Sequence, residues 1–281
     1  MRRKSKKEIS RDIGLEISYL LGNYFLKLEH LHYGYWTEGL AVDIANLHIA
    51  QNAYVNFITS HIPEGVKTIL DVGCGAGQID KVLIEKGYEV DCLSPSSFFN
   101  SKVKKLLNGE SHLFETSYEE FQTESKYDLV MFCESFEYLD MEKALSKTSR
   151  LLNENGYMLI CDLFKKELLT KGVIGGGQKL NKFQELIENA PFSLIEQKDI
   201  TERVAPTMDL MNDVLQKVIK PALIAGVEIS ESRYRTATRL VRWIYRKKIE
   251  KLNNKYFSEN RSGEKFKERK IYQLLLYQKI D

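Results

Sequence analysis

The chain carries, at residues 69–77, the run Ile69-Leu70-Asp71-Val72-Gly73-Cys74-Gly75-Ala76-Gly77. An apolar segment that ends in an acidic residue and three alternating glycines predicts a buried parallel strand, a sharp turn and a helix over 78–84. The glycines let the backbone reverse and let a ligand approach the main chain. A nicotinamide dinucleotide loop would place its third glycine at position 78, where this chain has glutamine. An acidic residue before the first glycine suits a ligand that carries an ammonium group.

Composition narrows the class of protein. A chain of 281 residues with a net charge of +2 is long enough for one large α/β core and an appendage, and its charge argues against a nucleic-acid partner. No apolar run approaches the length that spans a bilayer. The four cysteines include no Cys-x-x-Cys pair, and the five histidines show no metal-ligand spacing, so we expect reduced thiols in the cytoplasm and no metal site.

The pattern of elements predicts three parts. Residues 1–62 form an N-terminal helical region. Residues 63–202 and 271–281 alternate strands with helices, which predicts an α/β fold with a Rossmann-like parallel sheet. Residues 203–270 form a helical insertion before the last strand, and its first helix must kink or stop near Pro221.

The second helix of the insertion has an apolar stripe and a dense basic remainder. The stripe contains Ala237, Leu240, Val241, Ile244, Tyr245, Ile249, Leu252 and Tyr256, and the basic side chains include Arg239, Arg242 and Arg246. We expect this insertion to be a lid that builds an acceptor pocket. A hairpin that only packs, or a basic face that contacts an anionic membrane or an acidic carrier, remains an alternative.

The glycine run resembles motif I of the class I S-adenosylmethionine-dependent methyltransferases. Two further segments resemble the small-molecule branch of that family, which includes sterol, tocopherol and ubiquinone-type enzymes. Residues 134–138, Glu-Ser-Phe-Glu-Tyr, are similar to its Glu-Ser-x-Glu-His motif, with Tyr138 in place of the histidine, and residues 32–36 are similar to its His-Tyr-Gly-Tyr-Trp segment. The Asn/Asp-Pro-Pro-aromatic motif of enzymes that methylate nucleic-acid bases does not occur at 133–138. The resemblance implies a seven-stranded sheet with an antiparallel last strand.

The resemblance also implies S-adenosylmethionine as cofactor and a set of residues that hold it. Asp71 would lie near the methionine end, either Asp91 or Cys92 would meet the ribose, and Ser117 and Tyr118 would meet the adenine. Strand alternation allows only one of Asp91 and Cys92 to face the ribose. The complete set of expected cofactor contacts is Tyr33, Asp71, Gly73, Gly75, Gly77, Asp91, Cys92, Ser94, Ser117, Tyr118 and Cys133.

Methyl transfer needs a base only when the acceptor must lose a proton. The candidates are His32, Glu134 and Glu137, with Asp162 as a fourth, and each also has a structural explanation. We predict methyl transfer to a small, apolar or lipid-like acceptor at oxygen or carbon. A protein or RNA methyltransferase that docks through the basic helix, and a non-catalytic cofactor-binding protein, are the alternatives. The sequence leaves the oligomeric state open.

Overall fold

A mixed sheet forms the centre of the protein. The computed structural model describes residues 6–166, 175–257 and 261–280. The strands in these ranges are β1 (Thr68–Val72), β2 (Glu89–Leu93), β3 (His112–Phe114), β4 (Tyr127–Cys133), β5 (Leu152–Lys165), β6 (Gln178–Lys179), β7 (Phe192–Asp199) and β8 (Lys270–Lys279). Their order is β3-β2-β1-β4-β5-β8-β7, with β6 paired to β5. β8 runs antiparallel to β5 and β7, and the other pairings are parallel. The expected antiparallel last strand is confirmed.

Helices cover both faces of this sheet. They are α1 (Lys6–Leu26), α2 (Leu47–Ser60), α3 (Gln78–Glu85), α4 (Ser97–Leu107), α5 (Met141–Leu151), α6 (Leu180–Glu188), α7 (Thr201–Val214), α8 (Lys220–Arg233), α9 (Arg235–Tyr256) and α10 (Gly263–Arg269). A 3₁₀ turn over Ile44–Asn46 precedes α2, where the sequence predicts the start of one helix at Asp43. Among the described residues, none of these helices is long and apolar enough to cross a membrane.

The central strands are apolar on both faces because both faces are covered. Ile69 and Leu129 belong to one buried cluster, and their neighbours Leu70 and Val130 belong to another on the opposite side of the sheet. Each such side chain contributes about 1.5–3 kcal/mol when it is fully buried. Continuous apolar runs are what a parallel sheet between two helical layers requires.

Strand β5 is longer than the sequence predicts. Asn155 and Gly156 are predicted to close a helix, but α5 ends at Leu151 and β5 begins at once. Asn155 has a φ of 59°, and the register against β4 shifts between Tyr127 and Leu129. The turn-forming pair therefore lies within an irregular part of the strand instead of after a helix.

The first helix of the insertion is interrupted close to the predicted position. A π-helical turn over Leu215–Ile219 separates α7 from α8, and Pro221 lies in the first turn of α8. Proline has no N–H to donate there, and a first turn needs none. The backbone stays helical through this point, so the kink or stop expected near Pro221 takes the form of a π-helical turn just before it, and α7 accommodates Pro206 as well.

Candidate active site

A cavity of about 720 Å³ opens at the carboxyl ends of β1, β2 and β4. Open α/β sheets bind ligands at this edge, and the volume lies in the range of small-molecule sites. Of the predicted site residues, the wall contains His32, Asp71, Gly73, Gly75, Ser94, Ser117, Tyr118, Cys133 and Glu134. The cavity therefore brings together segments that lie more than 100 residues apart in the chain.

The glycine loop is held close to the end of β4. The N–H of Gly73 donates to the carbonyl of Leu93 at 2.7 Å, and Gly73 has a φ of +86°. A Cβ at this position would lie 2.5 Å from Cβ of Ser135. The Ser135 hydroxyl in turn donates to the carbonyl of Val72. Only glycine allows both this backbone conformation and this close approach.

A cluster of buried polar groups lies behind the loop. Asp80 is 0% exposed, both of its carboxyl oxygens lack a hydrogen-bond partner, and Oδ1 of Asp71 lacks one too. Burial raises the pKa of both carboxyls well above the ordinary value. For Asp71, the nearby Asp80 carboxyl raises the pKa further. The Sγ atoms of Cys74 and Cys92 and a carboxyl oxygen of Asp80 lie within 4.8 Å of one another. The spacing of these residues in the sequence does not predict this grouping.

Replacing Asp80 by asparagine is expected to stabilise the protein at high pH. A carboxyl whose folded-state pKa is raised costs stability as the pH climbs above its unfolded value of about 3.9. Asp80→Asn removes that cost, so its Tm should exceed the wild-type Tm at pH 8 by about 2–4 °C for each kcal/mol gained. The difference should shrink toward pH 5. Glu85→Gln, an exposed change on the same helix, is the control, and a Tm difference that does not vary with pH would contradict the explanation.

Glu134 lies on the wall in an environment that strongly perturbs its carboxyl. Its Oε1 accepts from the N–H of Tyr33 at 2.7 Å and from the hydroxyl of Tyr272 at 2.8 Å. Burial, and to a smaller degree the Glu137 charge, raises the pKa of Glu134 to about 8, against the two hydrogen bonds that lower it. The backbone of Glu134 has a φ of 54°, an uncommon conformation that clusters at functional sites.

His32 is a poor candidate for a general base. Burial, and then the neighbouring His30, lowers the pKa of His32 to about 3. Its Nδ1 lies 2.8 Å from the carbonyl of Tyr33, and its ring stacks on Tyr54 with centroids 4.3 Å apart. The imidazole is therefore neutral and forms part of the wall.

The aromatic segment 32–36 is clamped and does not close freely over the site. The N–H of Gly34 and Nε1–H of Trp36 both donate to the Thr207 hydroxyl, at 3.1 and 3.0 Å. Trp36 is 4% exposed. Tyr33 reaches Glu134 through its backbone, and its hydroxyl lies 3.5 Å from Sδ of Met208. Tyr33 is thus a neighbour of the cavity wall and not part of it.

Neither candidate for the ribose contact lies on the cavity wall. The Asp91 carboxylate accepts from the Tyr127 hydroxyl at 2.8 Å, and Cys92 is buried beside Cys74. The wall after β2 is instead formed from Leu93 to Ser96. Asp91 and Cys92 both precede Leu93, the first residue of β2 on the wall, so the choice between them for the ribose contact stays open.

Of three other predicted site residues, one lies on the wall with its ring packed into the core and two lie off the wall. The Tyr118 ring packs edge-on against Phe132 and its hydroxyl pairs with Thr148, so the ring serves the core and is not a free stacking surface. Gly77 caps α3 and does not line the cavity. The Glu137 carboxylate accepts from the N–H of Gly177 and also lies outside the wall. Ser117 lies on the wall, and its contact with the adenine stays a prediction.

The roof of the cavity comes from the N-terminal helix and not from the insertion. Arg11, Asp12 and Leu15 of α1 line the cavity together with residues 29–32, whereas no described residue of 203–270 does. The Arg11 guanidinium lies over the Tyr138 ring at 4.7 Å. In the part of the chain that the structure describes, α1 covers the cavity, and the role of the insertion as a lid stays a prediction. The helical spacing of Ile13, Ile17 and Leu20 predicts α1 but does not say where it packs.

We expect α1 to become protected when the cofactor product binds. Its inner side contacts the cavity, while Ile13, Ile17 and Leu21 on its outer side are exposed, so α1 has few contacts to hold it in place. S-adenosylhomocysteine should slow hydrogen exchange over residues 6–26, and residues 34–36 should be protected with or without it. Unchanged exchange in α1 at saturating ligand would show that it is not a lid.

The chain matches known methyltransferases in sequence over part of its length. Residues 70–158 match the family model described as "Methyltransferase domain". A ubiquinone biosynthesis O-methyltransferase of Rhodopseudomonas palustris is 32% identical over 100 residues, which are 34% of this chain and 39% of that protein. The chain spans 39–59% of the length of the curated relatives it matches.

Solved structures share the fold over nearly the full chain. The [4+2]-cyclase SpnF has a TM-score of 0.68 at 14% identity and covers 100% of this chain and 98% of its own. The mycolic acid cyclopropane synthase CmaA1, complexed with S-adenosylhomocysteine, has a TM-score of 0.67 at 18% identity. The match covers 95% of this chain and 98% of the synthase. At such identities the likeness shows the fold alone.

The residues present fit S-adenosylmethionine. Gly73 and Gly75 form a cradle that side chains would narrow, and Asp71, whose buried Oδ1 lacks a partner, lines the same cavity. Asp71 and the loop amides would hold the methionine end, and Ser94 and Ser117 offer hydroxyls to the remainder. The family model over residues 70–158, the strand order and this cradle together support a class I S-adenosylmethionine-dependent methyltransferase.

Proposed function

We propose that the protein transfers a methyl group to a small, apolar or lipid-like acceptor, at oxygen or carbon. The observation that carries this proposal is Glu134, whose perturbed carboxyl shares one cavity with the glycine loop. The bound cofactor supplies an electrophilic methyl group on its sulfonium. The protein must then align the acceptor with that group, exclude water and accept a proton where the acceptor loses one.

Glu134 is the group we propose as proton acceptor. With a pKa near 8, the carboxyl is a strong enough base to take a proton from an acidic O–H or C–H near neutral pH. Tyr33 and Tyr272 fix its position through their hydrogen bonds. In this role they are positioning residues, because their donors hold the carboxylate and do not themselves receive the proton.

The character of the acceptor is proposed from the wall and from the relatives. Beside its polar residues, the wall contains the large apolar side chains of Leu15, Leu31, Ile79, Leu93, Phe99 and Leu139. These side chains favour an acceptor with an apolar part. The relative named for ubiquinone biosynthesis and the structure named for mycolic acid cyclopropanation support an acceptor of this kind.

Transfer of a labelled methyl group into a cell extract tests the proposal. The protein is incubated with methyl-labelled S-adenosylmethionine and extract, and label is measured in organic-soluble, protein and RNA fractions. We expect organic-soluble label from the wild type and a large loss with Glu134→Gln. Label in protein or RNA would support the alternative acceptors instead. S-adenosylhomocysteine binding with no label in any fraction would support a non-catalytic protein.

A further inference from the structure

The helices α8 and α9 form a projecting hairpin, here called the basic hairpin (residues 221–254). Every residue in it is exposed except Glu231 and Thr238. The contacts that join its two helices lie near the turn: the Thr238 hydroxyl donates to the carbonyl of Ser230 at 3.1 Å, and Arg242 pairs with Glu231. The described part of the chain provides no core for this hairpin to pack on.

The exposed surface of the basic hairpin combines large apolar side chains with positive charge. Twelve large apolar residues are exposed on it: Leu223, Ile224, Val227, Ile229, Tyr234, Leu240, Val241, Trp243, Ile244, Tyr245, Ile249 and Leu252. Eight basic residues accompany them: Arg233, Arg235, Arg239, Arg242, Arg246, Lys247, Lys248 and Lys251. The acidic residues of the hairpin are only Glu228, Glu231 and Glu250. An apolar surface of this extent on a protein marks a site of interaction.

We infer that the basic hairpin docks on an anionic lipid bilayer. A lipid surface accepts both features at once, because apolar side chains enter the headgroup and acyl boundary while basic ones meet acidic headgroups. Nucleic acid would satisfy the charges and leave the apolar residues in water. Trp243 and Tyr245 are of the aromatic types that collect at membrane interfaces. Since α8 and α9 are not spanning segments, the hairpin lies on the bilayer.

The hairpin is coupled to the site through one helical path. Thr207 and Met208 of α7 contact the aromatic segment beside Glu134, and α7 leads through the π turn into α8. At 1.5 Å per residue, Leu223 lies about 22 Å along this path from Met208. Docking would hold the methyltransferase core near the source of an apolar acceptor. This inference extends the proposed function by naming a partner, but lipid binding is measurable without any acceptor.

Vesicle co-sedimentation tests the inference directly. The full chain is mixed with vesicles of phosphatidylcholine alone, or of phosphatidylcholine with phosphatidylglycerol. We expect partition into the mixed vesicles to be at least tenfold stronger and to weaken with added salt. The variant Arg239→Gln/Arg246→Gln/Lys247→Gln should lose at least tenfold of this partition. Lys86→Gln/Lys105→Gln/Lys143→Gln, which removes the same charge from exposed sites on the core, should bind like the wild type.

Tryptophan emission supplies a second readout. The chain has two tryptophans, and Trp36 is already buried whereas Trp243 is 68% exposed. Mixed vesicles should therefore shift the emission of Trp243 to shorter wavelength, and Trp243→Phe should abolish that shift. Equal binding to both vesicle types would overturn the inference. So would a lipid-free dimer that Ile244→Ser dissociates, because a second copy would then cover the face.

The vesicle result and the methyl-transfer result are independent. If the triple variant loses vesicle binding but methylates a dispersed acceptor at the wild-type rate, the inference stands beside the proposed function. If the wild type binds mixed vesicles yet no extract fraction receives label, lipid docking stands and the proposed reaction fails. Wild-type protein that labels an organic-soluble acceptor without binding either vesicle overturns the docking alone.

Discussion

Replacing Gly73 by alanine is expected to abolish binding of S-adenosylhomocysteine. The added Cβ would meet Cβ of Ser135 at 2.5 Å, a distance that side chains do not tolerate, and the backbone at +86° already strains any residue other than glycine. The loop must therefore move away from β4, and its amides leave the positions that cradle the ligand. Calorimetry should show a loss of at least a hundredfold in affinity.

Gly65→Ala separates the steric effect from the backbone strain. Gly65 has nearly the same φ of +85°, but a Cβ there would meet nothing within 4 Å. This control should lose a little stability and bind the ligand normally. Gly75→Ala, where the nearest contact is Leu31 at 3.4 Å, should fold well and bind with an intermediate loss. Wild-type affinity in Gly73→Ala would exclude the glycine loop as the cofactor cradle.

Replacing Glu134 by glutamine is expected to lower kcat by about a hundredfold or more, the usual contribution of a general base. In the wild type, kcat/KM should rise as the pH climbs through about 8, because only the deprotonated carboxyl accepts the proton. This rise of kcat/KM with pH, here called the acid limb, should be absent in Glu134→Gln. The free energy of unfolding of Glu134→Gln should also vary less with pH. In the wild type, it falls as the pH rises from about 4.5 to 8, because the folded-state pKa of Glu134 is raised.

Tyr272→Phe distinguishes a positioning role from a purely structural one. The Tyr272 hydroxyl donates to Glu134 and lowers its pKa, so its removal should move the acid limb to higher pH. Tyr54→Phe removes the 2.9 Å contact between the hydroxyls of Tyr54 and Tyr272. Glu134 keeps both of its hydrogen-bond donors in this variant, so the acid limb should stay at the wild-type pH. An acid limb that survives in Glu134→Gln would show that another group is the base.

Local pattern accounts for most of the fold. Apolar runs such as 129–133 and 157–161 predict the central strands because a sheet covered on both faces leaves no position for polar side chains. The glycines of 73–77 predict the turn because few other residues adopt its backbone. The resemblance to class I methyltransferases added the antiparallel β8, which periodicity alone did not show.

The sequence predicts a residue of the cavity wall only where that residue belongs to a recognisable motif. Asp71, Gly73 and Gly75 are named by their motif, and Glu134 by its place after β4, and all line the cavity. The resemblance offers Asp91 or Cys92 for the ribose, but it does not tell how far β2 extends before it reaches the cavity. Arg11 and Leu15 carry no motif, so their place on the roof had no signal in the sequence.

The sequence by itself determined the strand and helix order, the glycine loop and the amphipathic character of the insertion, because these depend on neighbours within a few residues. Tertiary structure alone decided which helix covers the cavity. Residues 235–256 and residues 6–26 both show apolar spacing, and a periodic stripe says that a helix has an apolar face but not what that face meets. Packing placed α1 over the site and left the basic hairpin exposed. It also brought Tyr33 and Tyr272, 101 and 138 residues away, onto the carboxyl of Glu134, where burial makes their hydrogen bonds matter.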